Sequence, residues 1–498
     1  MSTYEDLLEI SEQLQNIQRS LSLLVWDERT YMPKGAVEGR SESKAELSQL
    51  YHEKLTSEKT KRCIDELNKE SAQAELDEVQ KAAVREMTRD FERKYKVPDE
   101  LIKKMSKAST KAQSAWEEAR ERSDFEHFLP HLEKQIELKK EAAEYIGYEN
   151  ETYDAFIDEY EPGFTAEKVK KIFDPMKKEL SSIVSKILSK DLEPGKGVFE
   201  GKTFPVKEQK KLCRELTEDL GFDFEHGRLD KAVHPFTIGM DDDVRLTNRY
   251  SEENITSIFS LMHETGHALY EQGLPSEWYG QHLGGYISMG YHESQSRMWE
   301  NFVGRSREFL DHIFPKLCEN FSGLKKHSKD EFYRRINRVK PTFIRVEADE
   351  VTYNLHIALR YDIELGLFRD ELEPEETKVV WENKMDEYLD IVPEDPAQGV
   401  LQDVHWSAGQ FGYFPTYALG NLYAAQIFDT AREEIDGLKD DISQGRFESL
   451  RGWLRENIHQ HGRKYKAKKM TERLTGEELT AEYHLDHLED KYGSIYGL

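Results

Sequence analysis

The sequence is poor in the residues that mark several large classes of protein. Of its 498 residues, three are cysteine, 30 are glycine and 15 are proline. Cys63, Cys213 and Cys318 are widely spaced, and no two of them form a Cys-x-x-Cys pair. No apolar run approaches the roughly 18 residues that a membrane-spanning helix needs. These deficits exclude collagen-like, disulfide-scaffold and membrane-spanning proteins, and they indicate a reducing compartment.

Positive charge is also in deficit. Lys and Arg number 70 against 97 Asp and Glu, which gives a net charge of −27. Proteins that bind nucleic acids or anionic membranes usually carry a concentrated basic region, and this sequence shows none. The residues from Met1 to Leu8 lack the basic and apolar segments of a secretory signal. We therefore predict a cytoplasmic protein with no nucleic-acid partner and no membrane partner.

Charged and aromatic residues, by contrast, are abundant. Charged residues make up 34% of the chain and aromatic residues 11%, and so many aromatic residues exclude a disordered chain. Apolar residues recur at three- and four-residue spacing from residue 1 to about 195, as at Leu7, Ile10 and Leu14. The proline-free interval from Pro33 to Pro98 predicts two or three long antiparallel helices. The sequence therefore predicts a mainly α fold.

One segment departs from the helical pattern. Glycines and prolines cluster between 191 and 243, and Val244–Thr247 has the pattern of a short strand, so we expect a small β-sheet beside the helical body. Helices resume at Ser251, which we predict as an N-cap residue. Because no repeat or linker divides the chain, we predict a single unit over 1–498. Its parts are a helical wall over about 1–195, a small-sheet segment over about 196–250, and the remaining helices with the second wall over about 251–498.

The strongest chemical signal is the pentapeptide His-Glu-Thr-Gly-His at residues 263–267. It lies in a predicted helix over 254–272 that Gly273 closes as the C′ residue. Positions i and i+4 share one face of a helix, so both imidazoles can reach one metal ion. The glutamate, Glu264, lies beside the ion and can accept a proton from metal-bound water. The pentapeptide can also arise by chance, so the interpretation needs a third ligand.

The third ligand has to come from another part of the chain. The metzincin extension is absent, because Tyr270 and Gly273 stand where that motif has glycine and histidine. Glu271 is about two helical turns from His263, too far to share the ion.

Glu293, at the start of the next predicted helix, fits better than the alternatives Glu277 and Glu300. With His263 and His267 it completes a His₂Glu set that leaves one position open, as in catalytic zinc sites. We predict one Zn²⁺ per chain, with Co²⁺ and Mn²⁺ as alternatives that such a set also accepts.

Several segments besides the pentapeptide resemble one family, the Taq-type thermostable zinc metallocarboxypeptidases of the gluzincin group. Together with the pentapeptide they make six motifs in the family's order, and Trp26-Asp27…Met32-Pro33 near the N-terminus is also similar. The other five motifs are His234-Pro235-Phe236, Asp243-Val-Arg245-Leu-Thr247, His292-Glu293-Ser294-Gln295, Ile344-Arg345-Val-Glu-Ala348-Asp349 and Gly399-Val-Leu-Gln402-Asp403-Val-His405-Trp406.

The resemblance implies both a fold and a set of roles. It implies a large helical two-walled body around a deep substrate groove, with the small β-sheet beside the active site, and a homodimer. It implies His263, His267 and Glu293 as the zinc ligands and Glu264 as the general base. The motif that begins at His234 is associated with closing one end of the groove, which limits cleavage to the C-terminal residue.

The reaction needs two further kinds of group. An oxyanion needs a donor besides the metal, and His405, Tyr413 and Tyr417 are the candidates. A carboxypeptidase must also bind a free α-carboxylate, for which a guanidinium is best suited, and Arg245 and Arg345 are the motif arginines that we expect there.

Each of these residues also has a structural alternative. Arg245 can form an ion pair with Asp243 on the strand, and Arg345 can join a network with the acidic residues that follow it on a helix face. His405, Tyr413 and Tyr417 can be packed core residues.

The sequence thus predicts a zinc-dependent carboxypeptidase that releases single amino acids, with broad specificity, from peptides with a free C-terminus. Zinc-bound water and Glu264 as general base would carry out the hydrolysis. One alternative is a metalloendopeptidase of the same helical class, with a groove open at both ends. A second is a non-enzymatic helical scaffold in which the pentapeptide is accidental or decayed.

Overall fold

Helices form both walls of the molecule, because the charged and proline-poor sequence repeats its apolar residues with helical spacing. The computed structural model describes residues 2–498 and is 69% helical. The helices of the N-terminal wall are α1 (Thr3–Thr30), α2 (Val37–Leu55), α3 (Glu58–Leu67), α4 (Glu70–Glu75), α5 (Glu78–Tyr95), α6 (Asp99–Arg122), α7 (Phe125–Ile146), α8 (Asp154–Tyr160) and α9 (Ala166–Leu188).

The interval between Pro33 and Pro98 is more divided than we predicted. It holds α2 to α5 instead of two or three long helices. Capping residues explain the breaks: Ser57 accepts a hydrogen bond from the backbone N–H of Thr60, and Asp77 forms a capping box with Gln80. Side chains of this kind satisfy the free N–H groups of a first helical turn and so favour a new helix start.

The small sheet lies between the two helical parts of the chain. After α10 (Val206–Asp219) come β1 (Gly227–Lys231), β2 (Thr237–Met240) and β3 (Asp243–Asn248). The strand order is β1-β3-β2, with β1 parallel and β2 antiparallel to β3. The strand that we predicted at Val244–Thr247 is confirmed as part of β3, and β2 is left at an edge of the sheet.

The remaining helices make up the second helical part of the chain. They are α11 (Thr256–Gly273), α12 (Met289–Arg297), α13 (Arg307–Asn320), α14 (Lys329–Ile336), α15 (Tyr353–Phe368), α16 (Thr377–Leu389), α17 (Pro415–Glu434), α18 (Leu438–Ser443), α19 (Glu448–Asn457), α20 (Ala467–Thr475) and α21 (Glu482–Tyr496). A π-helical segment, Met298–Gly304, directly continues α12. Within residues 2–498, no helix is long and apolar enough to cross a membrane.

Two predicted capping residues of α11 are wrong, although the predicted range of 254–272 lies within two residues of the observed helix at each end. The helix begins at Thr256, not near Ser251, because Asn254 accepts a hydrogen bond from the Thr256 backbone and ends the preceding turn there. Gly273 is the last helical residue and not a left-handed C′ residue. Its lack of a side chain has another cause, since a Cβ atom there would lie 2.3 Å from Nδ1 of His459.

Helices α11, α12 and α17 pack closely in the core. A Cβ atom at Gly266 of α11 would lie 2.5 Å from the carbonyl oxygen of Gln295 in α12. A Cβ atom at Gly420 of α17 would lie 2.6 Å from Cγ of Glu293. The two glycines therefore let three helix backbones approach one another around Glu293. How the chain divides into units stays a prediction.

Candidate active site

Three side chains that can bind a metal converge between α11 and α12. His263 and His267 lie one turn apart on α11, and Glu293 projects from α12. Glu293 Oε2 lies 3.8 Å from His263 Nε2 and 3.4 Å from His267 Nε2. Among the described residues, 2–498, no other three His, Cys, Asp or Glu side chains bring their ligand atoms so close. Two imidazole nitrogens and a carboxylate oxygen are a donor set that fits a divalent ion such as Zn²⁺.

Burial and neighbouring charged groups keep these side chains in the protonation states that bind a cation. Arg297 donates from Nε to Glu293 Oε1 at 2.7 Å, and Glu300 Oε2 lies 3.0 Å from His263 Nδ1. Burial raises the pKa of Glu293, but Arg297 and His263 outweigh burial and hold that pKa well below its usual range. Burial lowers the pKa of His267 to about 3. The carboxylate is therefore ionised and this imidazole neutral, the forms that bind metals.

Glu264 lies beside the three ligands and faces a cavity. Thr237, the first residue of β2, donates from Oγ1 to Glu264 Oε2 at 2.7 Å. Burial raises the pKa of Glu264, and the charge of His263 and the Thr237 hydrogen bond offset only part of that rise. A carboxylate whose pKa is shifted toward neutral pH is suited to accept and return a proton.

The cavity has a volume of about 740 Å³ and lies between α1, β2, α11, α12 and the start of α17. Helix α1 forms one wall with a polar stripe. The residues of that stripe are Gln15, Gln18, Arg19, Ser22 and Arg29. Pro235, Phe236 and the residues of β2, which contact α1, line another part of the cavity. The cavity thus has one wall from the N-terminal helices and one from the metal-site segment.

The two tyrosines proposed as oxyanion donors line this cavity, and His405 does not. The rings of Tyr413 and Tyr417 meet edge to face with their centres 5.2 Å apart. His405 stacks on Tyr413 with a ring separation of 5.5 Å, and burial lowers its pKa to about 3. Burial raises the pKa of Tyr413 to about 12, so its hydroxyl is protonated and can donate.

Neither motif arginine lines the cavity. Arg245 donates from Nε and Nη2 to the Asp243 carboxylate, at 2.9 and 2.6 Å, so the structural ion pair considered from the sequence is present. Arg345 is buried and donates from Nη2 to Asp403 at 2.9 Å and from Nη1 to Tyr353 at 3.0 Å. The alternative considered for Arg345, a network with the acidic residues that follow it, is not the arrangement found, because its side chain turns inward to Asp403.

Two motif histidines lie near the site without reaching the metal position. His234 is exposed, while the next two residues of its motif line the cavity. His292 stacks on His267 with ring centres 4.3 Å apart, and its Nε2 lies 2.9 Å from Glu271 Oε1. His292 therefore packs against the ring of His267.

The sequence did not reveal Thr237, Arg297 or the α1 stripe as parts of the site. Arg297 follows Glu293 by one turn, and this spacing was a usable signal for an ion pair. Thr237 contacts Glu264 across 27 residues of sequence, which no local pattern shows. The α1 stripe has helical spacing, but a polar stripe on a helix is typical of a solvent-exposed face.

Comparisons with known proteins agree with this geometry. The model of the carboxypeptidase Taq (M32) metallopeptidases matches residues 6–492. The chain is 41% identical to thermostable carboxypeptidase 1 of Thermus thermophilus over 100% of this chain and 99% of that protein. It is 39% identical to carboxypeptidase 1 of Bacillus subtilis over 99% of each chain.

Solved structures are similar over the whole chain as well. The crystal structure of M32 carboxypeptidase from Deinococcus radiodurans has a TM-score of 0.96 and 35% identity, with 100% of both chains covered. A carboxypeptidase from Pyrococcus furiosus has a TM-score of 0.95 and 35% identity over 99% of each chain. The predicted mainly α fold with a small sheet is confirmed.

Proposed function

We propose, since the chain belongs to the carboxypeptidase Taq (M32) family of metallopeptidases, that it hydrolyses the C-terminal peptide bond of peptides and releases single amino acids. His263, His267 and Glu293 would hold one Zn²⁺, with Co²⁺ or Mn²⁺ as alternatives. The observation that carries this proposal is the convergence of these three ligands beside Glu264 on the wall of one cavity.

A divalent ion bound there supplies Lewis-acid chemistry, which acidifies water and polarises a carbonyl group. Glu264 accepts the proton of the attacking water as the new C–O bond forms. The same carboxyl then gives that proton to the amine nitrogen as the C–N bond breaks, so the protons balance. Thr237 keeps one carboxylate oxygen of Glu264 in a fixed position through its hydroxyl.

Tyr413 and Tyr417 are the oxyanion donors that the geometry supports best. Both line the cavity with the metal ligands, and Tyr413 keeps its proton at neutral pH. A hydroxyl donor that is already in place stabilises developing negative charge without reorganising. His405 supports the ring of Tyr413 by stacking on it, and a direct role for His405 stays a prediction.

The remaining parts of the proposal concern the substrate and the setting. His234 precedes the cavity-lining residues Pro235 and Phe236, and Arg245 pairs with Ile238 of β2. Their roles in substrate binding, like that of Arg345, stay predictions. Broad side-chain specificity, a homodimer and a cytoplasmic location are likewise predictions.

A mass-spectrometric time course tests the function directly. An ordinary peptide with a free C-terminus is incubated with metal-loaded enzyme, with enzyme plus chelator, and with the Glu264→Gln variant. We expect stepwise loss of C-terminal residues, abolished by the chelator and reduced by at least about 100-fold in the variant. Internal cuts would instead establish an endopeptidase. Absence of both cleavage and bound metal after reconstitution would favour the non-enzymatic scaffold.

A further inference from the structure

An arginine outside the family motifs named above lies on the wall of the metal cavity. Arg29 occupies the last turn of α1, and its guanidinium carbon lies 5.2 Å from the centre of the Phe236 ring. Its side chain is exposed. Within residues 2–498, no carboxylate oxygen lies within 4.0 Å of its guanidinium nitrogens. Arg29 is therefore a cation that faces the cavity without an acidic partner.

The other arginines near the cavity are already engaged by the protein. Arg19 of α1 forms an ion pair with Asp241, and Arg463 donates to the carbonyl oxygen of Tyr286 at 3.0 Å. The motif arginines at 245 and 345 pair with Asp243 and Asp403, as described above. A substrate carboxylate would have to displace those partners, whereas Arg29 can accept it without losing an ion pair.

The position of Arg29 suits the end of a short peptide. Phe236, which contacts Arg29, directly precedes Thr237, and Thr237 holds the proposed base Glu264. In a carboxypeptidase substrate the free carboxylate follows the scissile carbonyl by one residue, which spans roughly 3.5 Å of extended chain. The cation that binds it must therefore lie close to the base, and Arg29 contacts the residue next to Thr237 on the wall of the same cavity.

The negative charge of the cavity wall favours such a cation. The cavity wall includes the carboxylates of Glu264, Glu271, Glu293 and Asp90, and the chain carries a net charge of −27. A free substrate carboxylate would be repelled from this surface unless a cation compensates for it. A guanidinium presents paired N–H donors that match both oxygens of a carboxylate, and the Phe236 ring face favours a cation over it.

We propose that Arg29 binds the α-carboxylate of the C-terminal residue of the substrate and so determines the preference for free C-termini. This proposal rests on the proposed carboxypeptidase function. It differs from the motif-based prediction for Arg245 and Arg345. If Arg29 had only a structural role, at the end of α1, its loss would affect all substrates alike.

The first test compares two substrates that differ only at the C-terminus. One is an N-acylated dipeptide with a free carboxylate, and the other is its C-terminal amide. We expect Arg29→Gln to lower kcat/KM for the free acid by about 10- to 100-fold, mainly through KM, and to leave the amide unchanged. Arg29→Lys keeps the charge but not the paired donors, so its kcat/KM for the free acid should lie between the values for wild type and Arg29→Gln. The control is Arg122→Gln, which removes the same charge at an exposed position of α6.

A binding experiment separates this proposal from the proposed function. Calorimetric titration of the metal-loaded Glu264→Gln protein with the same two compounds requires no cleavage. We expect it to bind the acid more tightly than the amide, and the added Arg29→Gln change to remove that preference. If wild-type enzyme cleaves neither compound, the carboxypeptidase function fails, and the titration still decides the role of Arg29.

The Arg29 proposal is overturned by any of three results. One is an unchanged preference for the acid in Arg29→Gln, and another is an equal loss on both substrates. The third is the absence of a preference for the acid in the titration of Glu264→Gln. A thermal unfolding midpoint within a few degrees of wild type for Arg29→Gln and Arg29→Lys shows that the fold is retained.

Discussion

At the scale of single residues, the metal site is a set of matched charges. Glu293 is buried against two histidines, and Arg297 binds the oxygen that faces away from them. Glu300 accepts from Nδ1 of His263, which leaves Nε2 of that ring for the ion. Partners of this kind fix the tautomer and orientation of a ligating histidine. The spacing of the sequence indicated Glu293 as a ligand. The contact of Glu300 with His263 is visible only in the structure, where Glu300 lies in the π-helical segment that continues α12.

Replacing Glu300 should therefore weaken metal binding without removing a ligand. Glu300→Gln keeps the shape of the side chain but loses the charge that holds His263, and we expect a metal affinity about 10-fold lower. Competition with a chelator, with the amount of protein-bound metal as the readout, measures this affinity. Glu277→Gln is the matched control, because Glu277 is an exposed glutamate of the same region that the sequence offered as an alternative ligand. Equal affinities for Glu300→Gln and wild type would contradict this role.

At the scale of elements, the site depends on how closely two helices approach. The sequence predicted α11 and the strand β3, since both have strong local patterns. It placed the ends of α11 to within two residues but did not show what determines them, which is the Asn254 hydrogen bond and the His459 ring packed against Gly273. It also did not show that Gly266, inside the metal-binding pentapeptide, lies against the backbone of α12, because helix contacts are not encoded in local spacing.

Adding a methyl group at Gly266 should push α12 away from α11. The new Cβ atom would lie 2.5 Å from the Gln295 carbonyl oxygen and 2.7 Å from Cα of Ser296, and neither backbone atom can move alone. We expect Gly266→Ala to lower the free energy of unfolding by about 1–3 kcal/mol and to weaken metal binding. Denaturant unfolding and metal content measure the two effects.

Gly452 in α19 provides the opposite case in the same experiment. It lies inside a helix with open space around its Cα, so Gly452→Ala should raise the free energy of unfolding by about 0.5–1 kcal/mol. The two variants add the same methyl group to a helix. If both stabilised the protein, close packing at Gly266 would not limit the approach of α11 and α12.

At the scale of the whole molecule, distant parts of the chain meet around the site. The sequence indicated two helical walls and a small sheet, and family resemblance supplied the groove between them. It did not indicate that α1 and β2 line the same cavity, because the contact between Arg29 and Phe236 joins residues more than 200 positions apart. The residues of the metal site can thus be predicted from the sequence, whereas the substrate-binding surface depends on the tertiary fold.

A second long-range connection holds the end of the chain to its centre. Glu350, just before α15, is buried and accepts hydrogen bonds from Lys491 Nζ at 2.6 Å and Tyr492 Oη at 3.0 Å, both on α21. Burial raises the pKa of Glu350, but Lys491 and His487 outweigh it and hold that pKa well below its usual range. The other titratable groups that face this cluster are His484, Arg305, Glu300 and Tyr333.

Stability should therefore depend on the charge of Glu350 in a defined pH range. A carboxyl whose folded-state pKa is depressed stabilises the fold above its unfolded value of about 4.3, and this contribution is lost as the pH falls through the folded-state pKa. Glu350→Gln leaves Lys491 buried without a counter-charge, so we expect a loss of about 3 kcal/mol at pH 7. Urea unfolding of both proteins between pH 7 and pH 3 measures the difference.

The difference between wild type and Glu350→Gln should be constant above about pH 5 and should shrink below about pH 4. Glu347→Gln is the matched control, since Glu347 is an exposed glutamate three residues before Glu350 and its replacement should change stability by less than about 0.5 kcal/mol at either pH. A difference that stays the same down to pH 3 would mean that Glu350 acts through its shape and not its charge. In that case the charge of the Glu350–Lys491 pair contributes nothing, and α21 is held to the body of the protein by packing and by its other hydrogen bonds, such as that from Arg334 to the Ile495 carbonyl.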